Sequence, residues 1–93
     1  MAARYTKPKG MKYTDLCIYI DNNIYKPNCD INLIFQYMYI IAYMLASKAK
    51  YFTNLDDYDE FAYYLALAAY KRMTDKDKVP IKSVLNYMKS IMY

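Results

Sequence analysis

Four carboxylates in five positions, Asp56, Asp57, Asp59 and Glu60, form the densest group of chemically capable side chains in the chain. Grouped carboxylates can hold a divalent cation, cap a helix, or offer a negative face to a partner's arginines. The metal reading fails on pattern, because the run NLDDYDEF over 54–61 lacks the alternating oxygen ligands and the glycine of a calcium loop. Asp57 and Glu60 have the three-residue spacing of a capping box, and clustered acids suit the positive end of a helix dipole. Asp56, Asp59 and Glu60 cannot all point inward beside Phe61 and Leu65, so a negative docking patch is the second expectation. A cap and a docking surface both fit these residues.

The second constellation is basic. Lys82, Asn86, Lys89 and Tyr93 are spaced four, three and four apart. On a helix they fall on one stripe. Ammonium, amide and aromatic groups in one line suit phosphate contact and base stacking, although a solvated helix face has the same composition. Lys71, Arg72, Lys76 and Lys78 extend this basic surface, and Tyr87 lies beside it.

Other chemistry is excluded by what the sequence lacks. With no histidine, a Ser-His or Cys-His nucleophile pair cannot form. A single glycine, Gly10, rules out a glycine-rich phosphate loop. Cys17 and Cys29 are the only cysteines. Two thiols without imidazole cannot complete a four-ligand zinc site unless carboxylates join them. No catalytic residue, metal or cofactor is expected, and no small-molecule substrate. Reduced thiols and a polar, basic start without a signal-peptide core point to a cytoplasmic protein.

The elements that must position these groups read as helices. Ninety-three residues make one domain, 57% of them apolar when Tyr and Cys are counted. One glycine and three prolines are too few for a turn-rich β protein. Residues 1–12 carry Arg4, Lys7, Lys9 and Lys12 without an acid, and read as a mobile basic arm ahead of a single helical domain over 13–93. Thr14 or Asp15 is a candidate cap for a short helix ending near Asn23. Asp30 is the expected cap of a helix over about 31–50, with Ile34, Tyr37, Met38, Ile41, Met44 and Leu45 on its inner face. Tyr39, Ile40 and Tyr43 make its other side apolar as well, as in a central helix. The run 31–46 is too short and too interrupted, at Asn32 and Gln36, for the ~20 residues of a membrane span.

The third helix should run from the acidic cluster to about Met73, with Tyr58, Phe61, Ala62, Leu65, Ala69 and Met73 inward. Pro80 suits the first turn of the last helix, with Ile81, Val84, Leu85, Met88 and Met92 inward. Fourteen tyrosines are too many to bury. Tyr37 and Tyr58 fit the core, whereas some of Tyr63, Tyr64, Tyr70 and Tyr87 must reach the surface. The expectation is an all-α, compact bundle of three main helices plus a short N-terminal helix. Charge is segregated along it: residues 1–14 carry +4, residues 56–60 carry −4, and residues 71–93 carry +4.

An apolar helix, an acidic start to the next helix and a closing basic-aromatic helix, in that order, resemble region 2 of bacterial σ factors of RNA polymerase. The acidic turn of that family runs close to Asp-Leu-x-Asp-Leu-x-Gln-Glu. Here 54–61 matches at Leu55 and Asp57, and departs at Asn54, Glu60 and Phe61. Ile81-Lys82-x-Val84-Leu85 is similar to the Phe-Arg-x-Trp-Leu start of the last helix in small σ factors, without the large aromatic at Val84. The resemblance implies docking of Asp56, Asp57, Asp59 and Glu60 on RNA polymerase. It also implies promoter DNA contact through Lys71, Arg72, Lys82, Asn86, Tyr87, Lys89 and Tyr93. Composition also resembles small proteins of phages that infect low-GC bacteria, which would place it in the host cytoplasm. Two other functions fit the same residues: a phage protein that inhibits or adapts a host protein through exposed tyrosines, and a self-assembling helical protein of unknown oligomeric state.

Overall fold

The computed structural model describes residues 4–49 and 55–92, and of Ala49, Leu55, Asp56 and Met92 the backbone only. Among the described residues four helices form: α1 over Tyr13–Asn23, α2 over Ile31–Ala49, α3 over Leu55–Met73 and α4 over Val84–Met92. No strand forms among the described residues. The expected all-α bundle is what folds. Helix α2 packs on all three others, most extensively on α3, and α4 closes the bundle against α1, α2 and α3.

Helices α2 and α3 run antiparallel. Phe35, early in α2, meets Tyr63 and Tyr70, while Tyr43, later in α2, meets Tyr58 near the start of α3. The central position of α2 follows from its double apolar face: Ile34, Tyr37, Met38 and Ile41 are buried on one side, and Tyr39 and Ile40 on the other. Ala62, Ala66 and Ala69 are fully buried, so short side chains let α3 approach α2 closely. Each fully buried Leu or Ile here, such as Leu16, Ile20 and Ile41, contributes about 1.5–3 kcal/mol of transfer free energy. Among the described residues no helix is long and apolar enough to cross a membrane.

The helix starts show where local signals hold. Asp30 caps α2 as expected, its Oδ1 accepting from the Leu33 N–H at 3.1 Å. Asp15 is not the residue before α1. It lies inside the first turn and reaches back to accept the Lys12 N–H at 2.9 Å. Asp57 likewise sits inside the first turn of α3, which already begins at Leu55.

The last helix departs most from expectation. It starts at Val84 rather than near Pro80. Ser83 caps it, its Oγ accepting from the Asn86 N–H at 3.3 Å and its carbonyl from the Tyr87 N–H at 3.1 Å. The stretch before it is held open by α1 and its flank. The Ile81 N–H donates to the Tyr25 hydroxyl at 2.7 Å and the Val84 N–H to Asp21 Oδ1 at 2.9 Å. With those donors satisfied from across the fold, residues 79–83 need no helical turn.

The segment expected as a basic arm lies against the bundle over residues 4–12. Tyr5 stacks edge-on against Tyr39 with ring centres 5.3 Å apart, and Tyr5 and Met11 pack on the core. The Met11 N–H closes a turn on the Pro8 carbonyl, and Gly10 takes a positive φ of 83° there.

Candidate functional site

The two charged surfaces lie at opposite ends of α3. At the acidic start, Asp57 and Glu60 are exposed. The side chain of Asp56 lies outside the described residues. Asp59 is different. It is only 14% exposed, and each of its oxygens is engaged: the Tyr39 hydroxyl donates to Oδ1, and Arg4 Nε donates to Oδ2 at 3.1 Å. Asp59 therefore does not stand free in the negative patch, because a tyrosine twenty positions upstream and an arginine in the N-terminal segment use it. Tyr39 is fully buried, and burial, then the hydrogen bond to Asp59, pushes its hydroxyl well above the ordinary tyrosine range. The same hydroxyl accepts the Arg4 backbone N–H at 2.9 Å. The Arg4 guanidinium also covers the Tyr63 ring, 4.4 Å from its centre.

The basic surface forms where α3 ends and the chain turns into α4. Lys71, Lys76, Lys78 and Lys82 are exposed. Arg72 is half-buried and works within the fold: Nη1 donates to the Val79 carbonyl at 3.2 Å, and the guanidinium lies 6.0 Å from the Tyr87 ring centre. Beneath this loop a shallow cavity of ≈ 420 Å³ is lined by Ile24, Tyr25, Met73, Lys76, Lys78 and Pro80 among others.

The expected stripe on α4 is broken at its start. Lys82 precedes the helix instead of lying on it, because Ser83 is the cap. Asn86 and Lys89 are exposed on α4, and Tyr93 lies outside the described residues. Lys89 is also in different company from Lys71 and Arg72. It borders a cavity of ≈ 350 Å³ with Tyr13, Cys17, Leu45, Lys48 and Leu85, at the other end of the bundle. The structure therefore gathers Lys71, Lys76, Lys78 and Lys82 at one end and leaves Lys89 at the opposite one.

Two other titratable groups are shifted by the fold. Burial, opposed by the hydrogen bond from Val84, raises the Asp21 carboxyl above its usual range. Burial first, and then Asp21, raise the Cys17 thiol, which disfavours the reactive thiolate. Both cysteines are free. Among the described residues no three Cys, Asp or Glu side chains converge to hold a metal ion.

Arg4, Tyr39 and Tyr63 belong to the acidic site, and sequence reasoning did not place them there. The one available signal was that Arg4 is the only arginine of the N-terminal segment, a fork-shaped donor where lysine would serve for plain charge. Compared with known proteins, the chain matches no family model, no curated protein and no solved structure.

Proposed function

We propose that the protein is a σ-like, non-catalytic transcription module with two working ends. The acidic start of α3, through Asp56, Asp57 and Glu60, docks on a basic helix of RNA polymerase. The basic end, through Lys71, Lys76, Lys78 and Lys82 with Asn86 beside them, contacts the phosphates of promoter DNA, and Tyr87 braces Arg72 behind them.

The observation that carries this reading is the separation of exposed charge along α3, with Asp57 and Glu60 at its start and Lys71 at its end. Asp57 and Lys71 are fourteen residues apart, so about 21 Å of helix lies between them at ~1.5 Å per residue. That exceeds the ~8 Å Debye length at physiological salt, so each end presents its own field to its own partner. The test is a pull-down of the tagged chain from host lysate at low and moderate salt. Polymerase subunits recovered with the parent chain, and lost with D56K/D57K, are the expected result. Recovery unchanged by the charge reversal sinks the docking role.

A second reading is favoured by the exposed apolar residues. Tyr64 is 67% exposed on α3 and Ile18 57% exposed on α1. Such residues suit a protein partner rather than DNA. In that reading the chain is a phage adaptor or inhibitor of a host protein, and the complex captured from lysate withstands salt that strips phosphate contacts.

A further inference from the structure

The contacts around Arg4 have the chemistry of an arginine-recognition site. A carboxylate receives the guanidinium edge at 3.1 Å, and an aromatic face lies 4.4 Å from its centre. The carboxylate is pre-oriented, since the fully buried Tyr39 holds the other oxygen of Asp59 in place. The occupant, by contrast, is not buried: the Arg4 side chain is 42% exposed while Asp59 is 14% exposed. An ion pair with one partner that open to solvent adds little to stability and exchanges readily. The site is thus built more rigidly than its ligand is held.

We propose that Asp59 and Tyr63 form an arginine-binding cleft, which Arg4 fills in cis and which an arginine on a partner protein fills when the N-terminal segment lifts away. Asp59 lies between the exposed Asp57 and Glu60 in the first turns of α3, so a partner docked there through basic residues reaches the cleft. The proposal rests on the docking half of the reading above for its choice of partner. Tethering gives Arg4 an effective concentration in the millimolar range. The segment therefore acts as a built-in competitor that sets a threshold for partner binding.

The test uses the full chain and a fluorescent peptide of residues 2–9, AARYTKPK, as the probe. In the variant R4A/Y5A the cis occupant is removed and the cleft is left open. That variant should bind the peptide, with the parent chain about tenfold weaker or worse because its own segment competes. A peptide with Lys in place of Arg should bind R4A/Y5A at least about tenfold more weakly, since an ammonium lacks the planar fork. Adding D59N should abolish binding. Y63A in the R4A/Y5A background is the second variant, because it removes the stacking face and leaves the Tyr39–Asp59 contact intact. Circular dichroism verifies that each variant keeps its helix content. Equal binding by parent and R4A/Y5A, no binding by either, or a lysine peptide that binds as well as the arginine peptide would each overturn the cleft. The polymerase pull-down with D56K/D57K is independent of this readout. A chain that captures the peptide but no polymerase keeps the cleft and loses the σ-like reading.

Discussion

The two ends of α3 carry opposite charge but are built on one plan. At each end one charged residue is spent on the fold while its neighbours stay on the surface. At the acidic start Asp59 is the internal member, holding Tyr39 and Arg4, and Asp57 and Glu60 are free of it. At the basic end Arg72 is internal, tethering the 79–83 stretch and lying against Tyr87, while Lys71 is exposed beside it. The difference lies in depth. Asp59 bonds to a fully buried hydroxyl, whereas Arg72 bonds to the carbonyl of an exposed residue. A charge cluster therefore has to be split into structural and available members before it is read as a binding surface.

That contrast orders the expected effects. The largest is at Asp59. D59A leaves the buried Tyr39 hydroxyl without its acceptor and should cost about 1–3 kcal/mol, whereas D57A at the same end should fall within about 0.5 kcal/mol of the parent. Urea denaturation reads both, and equal effects would erase the distinction between them. Next is Asp21, which anchors the start of α4. D21A removes the acceptor of the Val84 N–H and should cost about 1 kcal/mol.

D21N keeps that acceptor and cannot ionise. Because burial raises the folded-state value of Asp21, the stability held by its protonated form is complete below the ordinary carboxylate range and is lost as pH rises through the folded value. D21N should then match or exceed the parent at neutral pH and lose that advantage in acid. A neutral-pH loss as large as that of D21A would contradict this. The smallest pair is at the basic end. R72A should cost about 0.5–1.5 kcal/mol, and K71A should stay within about 0.5 kcal/mol in the same denaturation experiment.

Local spacing made much of the fold legible. The Asp30 cap, the two-sided apolar character of α2 and the inner face of α3 all depend on residues within a few positions of one another. Expectation and structure part where distant residues decide. Pro80 is a sound helix-start signal by itself, but Asp21, 63 residues from Val84, and Tyr25, 56 residues from Ile81, supply bonds that keep the chain extended to Ser83. Lys82 left the α4 stripe for that reason. The same holds for Asp59, whose partner Arg4 is 55 residues away. Lys71, Lys76 and Lys78 stay together because they are contiguous in sequence, whereas helix register alone does not say that Lys89 borders Tyr13 and Lys48.

The central claim is that the two ends serve separate partners, and it is tested most directly by fluorescence anisotropy of labelled duplex DNA titrated with the full chain between low and physiological salt. The account predicts that log affinity falls linearly with log salt concentration, and that K71E/K82E weakens binding and flattens that slope. D57K/E60K, at the far end, should not weaken it. Affinity that ignores salt and survives K71E/K82E would contradict the account, and would leave the exposed tyrosine and isoleucine faces as the working surface.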